Sequence, residues 1–137
     1  MLLVIDTTIL FAGVLRDSTT RKILLTTPIE FIVPDYVFQE LDEHIEDICM
    51  RNKLSKEANE EIISILRDHV VILRAEDCIK MLDEATELMR DIDPNDAPIL
   101  ATALSINCDG IWSEDPHLQK QTHIKTWRTK DLLHFLR

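Results

Sequence analysis

Leu2-Leu3-Val4-Ile5-Asp6, followed by Thr7-Thr8-Ile9-Leu10, is the stretch whose reading decides the fold. Four successive apolar residues closed by an acid predict a short strand buried on both faces, because a strand with one wet face alternates apolar and polar side chains. Such strands belong to parallel sheets covered by helices. The apolar run from Thr7 to Leu15 reads as the first covering helix, and Arg21 to Thr27 completes that connection. Glu30 to Val33 is a second short strand, stopped by Pro34. Asp35 then opens a helix whose apolar residues Val37, Phe38, Leu41, Ile45 and Ile48 recur at the helical period.

Further along, Ser55 reads as the N-cap of a helix running to about Asp68, and Val70 to Leu73 as a β-branched strand. Glu76 to Arg90 is predicted helical, with Ile79, Leu82, Met89 and the Ala85 region turned inward. Asp93-Pro94-Asn95-Asp96 is a helix start, with Asp93 as N-cap and Pro94 in the first helical position, and that helix continues to about Ile106. Gly110 to Trp112 and Ile124 to Trp127 supply the fourth and fifth strands, and Thr129 is expected to cap a terminal helix. Strands separated by helices, with almost no hairpin signals, predict an α/β fold: one three-layer α/β/α domain around a central, mainly parallel sheet of about five strands.

Composition agrees with that reading. A chain of 137 residues suffices for one domain that buries roughly two-thirds of its unfolded surface. Apolar residues at 45% and charged residues at 29% exclude disorder as the dominant state. The longest apolar runs, such as Ile9 to Leu15, are about seven residues against the ~20 that a membrane span needs, and no basic flank or cleavage site marks a signal peptide. Cys49, Cys78 and Cys108 are odd in number, widely spaced and contain no C-x-x-C, so they read as small buried hydrophobes in a reducing cytoplasm.

The net charge of −10 argues against broad adhesion to nucleic acid, but it is unevenly spread. Residues 111 to 137 carry five bases and three acids, whereas residues 35 to 47 carry six acids and no base. A second small basic group, Arg16, Arg21 and Lys22, follows the first strand. A polyanion therefore has selected approaches only, unless cations sit among the acids.

Ligands of a parallel α/β sheet bind beyond the carboxyl ends of its strands. Asp6 ends the first strand and Asp115 follows the fourth, in Trp112-Ser113-Glu114-Asp115. Asp96 shares its helical stripe with Ile99, Leu100, Ala103 and Leu104, which reads either as a second capping acid or as a site residue aimed inward. Glu40 lies at the margin of its helix's apolar stripe and by pattern alone reads as a surface acid. If these four converge, an all-oxygen ligand set suits Mg²⁺ or Mn²⁺ rather than zinc, and the chemistry typical of such a site is phosphoryl transfer. His69, His117, His123 and His134 show no metal-ligand spacing in sequence, while His44, one turn after Glu40, reads as packed or exposed. Trp112 reads as core or interface rather than as a base-stacking platform.

Four segments, in order, resemble the PIN-domain nucleases, including the VapC-type toxins: Val4 to Leu10, Val33-Pro34 with Glu40-Leu41, Asp93 to Leu104, and Ile111 to Asp115. The resemblance spans essentially the whole chain and implies one PIN-like domain over residues 1–137. It further implies that Asp6, Glu40, Asp96 and Asp115 surround one or two Mg²⁺ or Mn²⁺ ions, with Thr8 and Ser113 in support. After Asp115 the chain departs from the family, with Pro116-His117-Leu118 where an additional acid is more usual and Glu114 as a weak substitute. Asp93 competes with Asp96 for the metal, but suits the cap because it precedes Pro94.

The expectation is a metal-dependent endoribonuclease in the cytoplasm, leaving 5′-phosphate and 3′-hydroxyl ends. Arg16, Arg21, Lys22, Lys120 and Lys130 are candidate contacts to the RNA backbone. The resemblance carries as partners an RNA substrate, the antitoxin of a toxin–antitoxin pair, and a second copy in a homodimer or higher homo-oligomer, with no membrane. A non-catalytic or RNA-processing PIN-fold binding module is the alternative. An aspartyl-phosphate phosphatase with Asp6 as nucleophile is disfavoured by Thr8, where a second Asp belongs.

Overall fold

The computed structural model describes residues 1–15 and 18–137. Among the described residues five strands form one sheet: β1 (Leu2–Ile5), β2 (Glu30–Pro34), β3 (Val71–Leu73), β4 (Gly110–Trp112) and β5 (Thr126–Trp127). Their order is β3-β2-β1-β4-β5, and every neighbouring pair is parallel. Between them run α1 (Thr7–Val14), α2 (Thr19–Thr26), α3 (Tyr36–Glu43), α4 (Ile45–Asn52), α5 (Lys56–Asp68), α6 (Ala75–Cys78), α7 (Leu82–Met89), α8 (Ala97–Ser105) and α9 (Thr129–Phe135). The expected three-layer α/β/α architecture is observed. No described helix is long and apolar enough to cross a membrane.

The all-apolar strands follow from two covered faces. Leu3 and Ile5 of β1, Phe31 and Val33 of β2 and Trp112 of β4 join one core with Leu10, Leu41 and Leu66. Val4, Ile32 and Ile111 join the other, with Met89 and Leu100. Each fully buried large aliphatic side chain contributes about 1.5–3 kcal/mol, and the strict alternation fixes the register, since a one-residue slip would exchange the two cores.

The strand order also positions the site. From β1 the chain steps outward through β2 to β3, then returns and steps the other way through β4 to β5, so the direction of winding reverses between β1 and β4. A crevice opens at such a reversal, beyond the carboxyl ends of the two strands. Asp6 follows Ile5 there, and Ser113 follows Trp112, the partner of Ile5 in the ladder.

Several elements differ from the expectation. The single helix expected after Asp35 is two, α3 and α4, because His44 leaves helical backbone at φ −107°, ψ 15° and its N–H returns to the carbonyls of Glu40 and Leu41. No Pro or Gly marks that break. The expected Glu76–Arg90 helix is interrupted by a 3₁₀ turn at Ile79–Met81 that turns Ile79 outward, 57% exposed, while Ala85 and Met89 are buried as predicted. Asp93 caps as expected, accepting from Asn95 N at 3.0 Å, but Pro94–Asp96 form a 3₁₀ turn and the α-helix begins at Ala97. Thr129 is not the cap of α9. Its hydroxyl accepts the Trp112 indole N–H at 3.1 Å, and carboxylates of Glu114 and Asp131 take the N–H groups of Thr129 and Arg128 at 2.6 and 2.9 Å.

Candidate metal centre

Asp6 is placed by two elements at once. As the N-cap of α1, its Oδ1 accepts the Ile9 N–H at 2.9 Å. Its Oδ2 accepts a hydrogen bond from the Ser113 hydroxyl. Ser113 is fully buried, and its Oγ in turn accepts the Asp115 N–H at 3.0 Å, so one side chain ties the end of β1 to the turn after β4. Burial pushes the Asp6 carboxyl above its ordinary proton affinity. The Ser113 and Ile9 donors oppose that, and the charge of Asp115 adds to it.

Asp96 enters from the opposite side, on the 3₁₀ turn that leads into α8. Its Oδ2 is buried without a hydrogen-bond partner, and it is the one described side-chain oxygen or nitrogen in that condition. Burial first, then its contact with Asp115 and the charges of Asp93 and Asp6, push its pKa up from 3.8 to about 7. Glu40 projects from α3 and Tyr36 stands one turn before it. Burial and the Glu40 charge push the Tyr36 phenol well above its ordinary value.

These groups share one cavity of about 480 Å³, lined among others by Asp6, Thr8, Tyr36, Glu40, Asp96 and Asp115. Asp6 and Asp96, 90 residues apart in the chain, therefore face the same space. Clustered carboxylates are stable together only when protons or cations neutralise them. Hard oxygen donors, an orphaned carboxylate oxygen and raised proton affinities at two of the four acids fit a divalent cation. Cys78 also lines the cavity, with its Sγ 3.9 Å from the Leu73 carbonyl oxygen.

His117 is the residue that sequence spacing missed. Its Nδ1 lies 3.3 Å from Asp93 Oδ2 and 3.3 Å from Asp115 Oδ1, and the backbone N–H of His117 donates to Asp115 Oδ1 at 2.8 Å. Asp93, Asp96 and His117 each offer a ligand atom within 4.8 Å of the others. Asp93 thus caps the turn with Oδ1 and faces His117 with Oδ2, beside Asp96 rather than in its place. No spacing rule finds His117, because its partner Asp93 lies 24 residues earlier, but its position two residues after Asp115 is a signal once that turn is known to close on the site. Glu114 does not substitute for a missing family acid: it is exposed, and its carboxylate holds the start of α9.

The remaining candidates fall elsewhere. Thr8 is exposed on the cavity wall. Arg21 donates to the carbonyls of Gly13, Val14 and Leu15, each at 2.8 Å, which caps the end of α1 and accounts for its guanidinium. Lys22, Lys120 and Lys130 are exposed on the surface, and Arg16 lies outside the described residues. His44 is exposed, with Nδ1 2.8 Å from the Glu40 carbonyl oxygen. Trp112 is fully buried, as core. Cys78 is buried and Cys49 and Cys108 are half-buried, all three as free thiols.

The profile of one protein family, described as PIN domain, matches residues 4–137. No curated protein matches the chain significantly.

Proposed function

The chain belongs to the PIN-domain family, and from that premise we propose that it is a metal-dependent endoribonuclease. The observation that carries the proposal is the meeting of Asp6, Glu40, Asp96 and Asp115 in one cavity, with a buried Asp96 oxygen left unpartnered. Asp6, Asp96 and Asp115 would hold Mg²⁺ or Mn²⁺. When bound, such an ion polarises a phosphoryl oxygen and lowers the pKa of water.

The chain's own residues do the rest. Ser113 orients the Asp6 carboxylate and fixes the Asp115 backbone, which keeps two acids from different ends of the chain in register. Glu40 accepts the proton of the attacking water, the role of a general base. Water adds at phosphorus in line with the departing 3′ oxygen, which takes up a proton, so the ends are 5′-phosphate and 3′-hydroxyl. Lys22, Lys120 and Lys130 give the strand its backbone contacts, which position RNA without reading its sequence.

The test is cleavage of single-stranded and structured RNA with Mn²⁺, comparing the wild type with Asp6→Asn and Asp96→Asn. Cleavage by the wild type that is lost in both variants and in EDTA supports the proposal; undiminished, EDTA-resistant cleavage refutes it. The toxin reading has its own test. Expression arrests growth and a small protein from the neighbouring reading frame relieves the arrest; unaffected growth removes that reading and leaves RNA processing or decay.

A further inference from the structure

A second cavity, also about 480 Å³, adjoins the carboxylate cavity and shares Thr7, Thr8 and Glu40 with it. Its wall includes Phe11 of α1, His44 at the break between α3 and α4, and Arg51 of α4. The helical period explains how α1 serves both purposes. Ile9, Leu10, Gly13 and Val14 are buried on one face, while Thr7, Thr8 and Phe11 fall on the other. Phe11 is thus half-buried: it packs against the core and reaches the wall of a mixed cavity, where Ala12 and Leu15 stand beside Glu40, His44 and Arg51.

The ring is held between two partners. The Arg51 guanidinium lies over it at 5.8 Å from the centroid, and His44 meets it edge-on at 6.2 Å and 79°. Asp47 Oδ2 sits 3.2 Å from Arg51 Nε, which steadies the guanidinium while the side chain stays 58% exposed. Among the described residues lining the two cavities, Arg51 is the one lysine or arginine. A strand with its scissile phosphate at the carboxylates finds acids and neutral side chains along the rest of the two walls, and at Arg51 a cation over the face of an aromatic ring. A volume of this size is ordinary for a small-ligand site.

We propose that this second cavity is a nucleotide subsite of the RNA strand being cut. The nucleotide adjoining the scissile phosphate stacks its base on the Phe11–Arg51 pair, and the guanidinium faces its phosphate. Unpaired bases stack on aromatic rings and on arginine planes, and a stacked base contributes roughly 5- to 100-fold in affinity. A base inside a duplex is unavailable for this, so the subsite selects single-stranded RNA at the cut. This inference rests on the ribonuclease reading, and the two fail separately.

The probe is a labelled single-stranded oligouridylate of about twelve nucleotides, bound by metal-free protein in EDTA and followed by fluorescence anisotropy. Arg51→Gln and Phe11→Leu are expected to weaken binding about 5- to 30-fold, and with Mn²⁺ to raise KM by a similar factor at unchanged kcat. Mixed-sequence oligomers of the same length, with the cut first mapped in Mn²⁺ and one base then removed immediately 5′ or immediately 3′ of it, locate the site. One of the two should bind wild type and both variants equally. Arg51→Gln removes no buried side chain, so it remains informative if Phe11→Leu unfolds. Wild-type binding in Arg51→Gln, or a loss that is the same with and without the base, overturns the subsite. Cleavage that persists in that case leaves the ribonuclease reading standing. Arg51-dependent binding without any cleavage removes the ribonuclease reading and supports the subsite.

Discussion

Replacing Asp96 by Asn should stabilise the metal-free protein, and by an amount that depends on pH. Asp96 titrates near 7 in the fold against 3.8 in the unfolded chain, chiefly because burial and Asp115 disfavour its charge. Below about pH 4 the carboxyl is protonated in both states and contributes nothing. Between about pH 4 and pH 7 the native state binds more protons than the unfolded state, so stability falls as pH rises, and above 7 the penalty is complete. The full difference in proton affinity would amount to about 4 kcal/mol at ~1.36 kcal/mol per tenfold. Asp96 is only half-buried and water screens its neighbours, so about 1–2 kcal/mol is expected. Asparagine keeps the shape, carries no charge and offers an N–H to Asp115. Thermal melts in EDTA should therefore show Asp96→Asn and wild type nearly equal at about pH 4 and the variant roughly 3–10 °C higher at about pH 8. A wild type that gains stability relative to the variant across that window would refute the reasoning.

Other consequences follow from the same geometry. Ser113→Ala removes the donor to Asp6 and the acceptor for Asp115 N, so Mn²⁺ affinity measured by calorimetry should drop about 10- to 100-fold, with Tm lowered as well. Glu40→Gln should reduce kcat of RNA cleavage at least ~100-fold while leaving Tm within about 2 °C, because Glu40 lines the cavity rather than the core. Gly110 has φ +146°, and a Cβ there would lie 2.5 Å from the Lys125 carbonyl oxygen and 2.7 Å from Trp127 Nε1. Gly110→Ala should cost more than about 2 kcal/mol in a denaturant titration by parting β4 from β5.

Strands β1, β2 and β4 are legible because burial on both faces writes itself as short unbroken apolar runs, whereas the edge strand β3, with Val71 and Ile72 exposed, is legible from its β-branched residues. The places of Asp6 and Asp115 beyond strand ends are legible in the sequence, whereas the apolar stripe leaves Asp96 open between a second cap and an inward-facing acid, and the structure sets it on a 3₁₀ turn at the cavity wall. Glu40 was not: by pattern it is a surface acid, and only the family resemblance points to the cavity it lines. The break at His44 left no mark, since Ile45 and Ile48 continue the helical period across it. An uninterrupted helix would make Ile79 a core residue, and the 3₁₀ turn swings it outward. His117 and Glu114 depend on tertiary partners, Asp93 and the Thr129 N–H, that no local rule reaches. Arg21, read as a phosphate contact, serves the carbonyls at the end of α1, a use that depends on how the chain returns after that helix.

Calorimetric titration with Mn²⁺ at about pH 7 tests the central claim most directly. Wild-type protein should bind the ion with release of protons, because the carboxyl of Asp96 must ionise, and Asp6→Asn and Asp96→Asn should each lose at least about tenfold in affinity. Unaltered affinity in both variants, or no binding by the wild type, would contradict a shared carboxylate site.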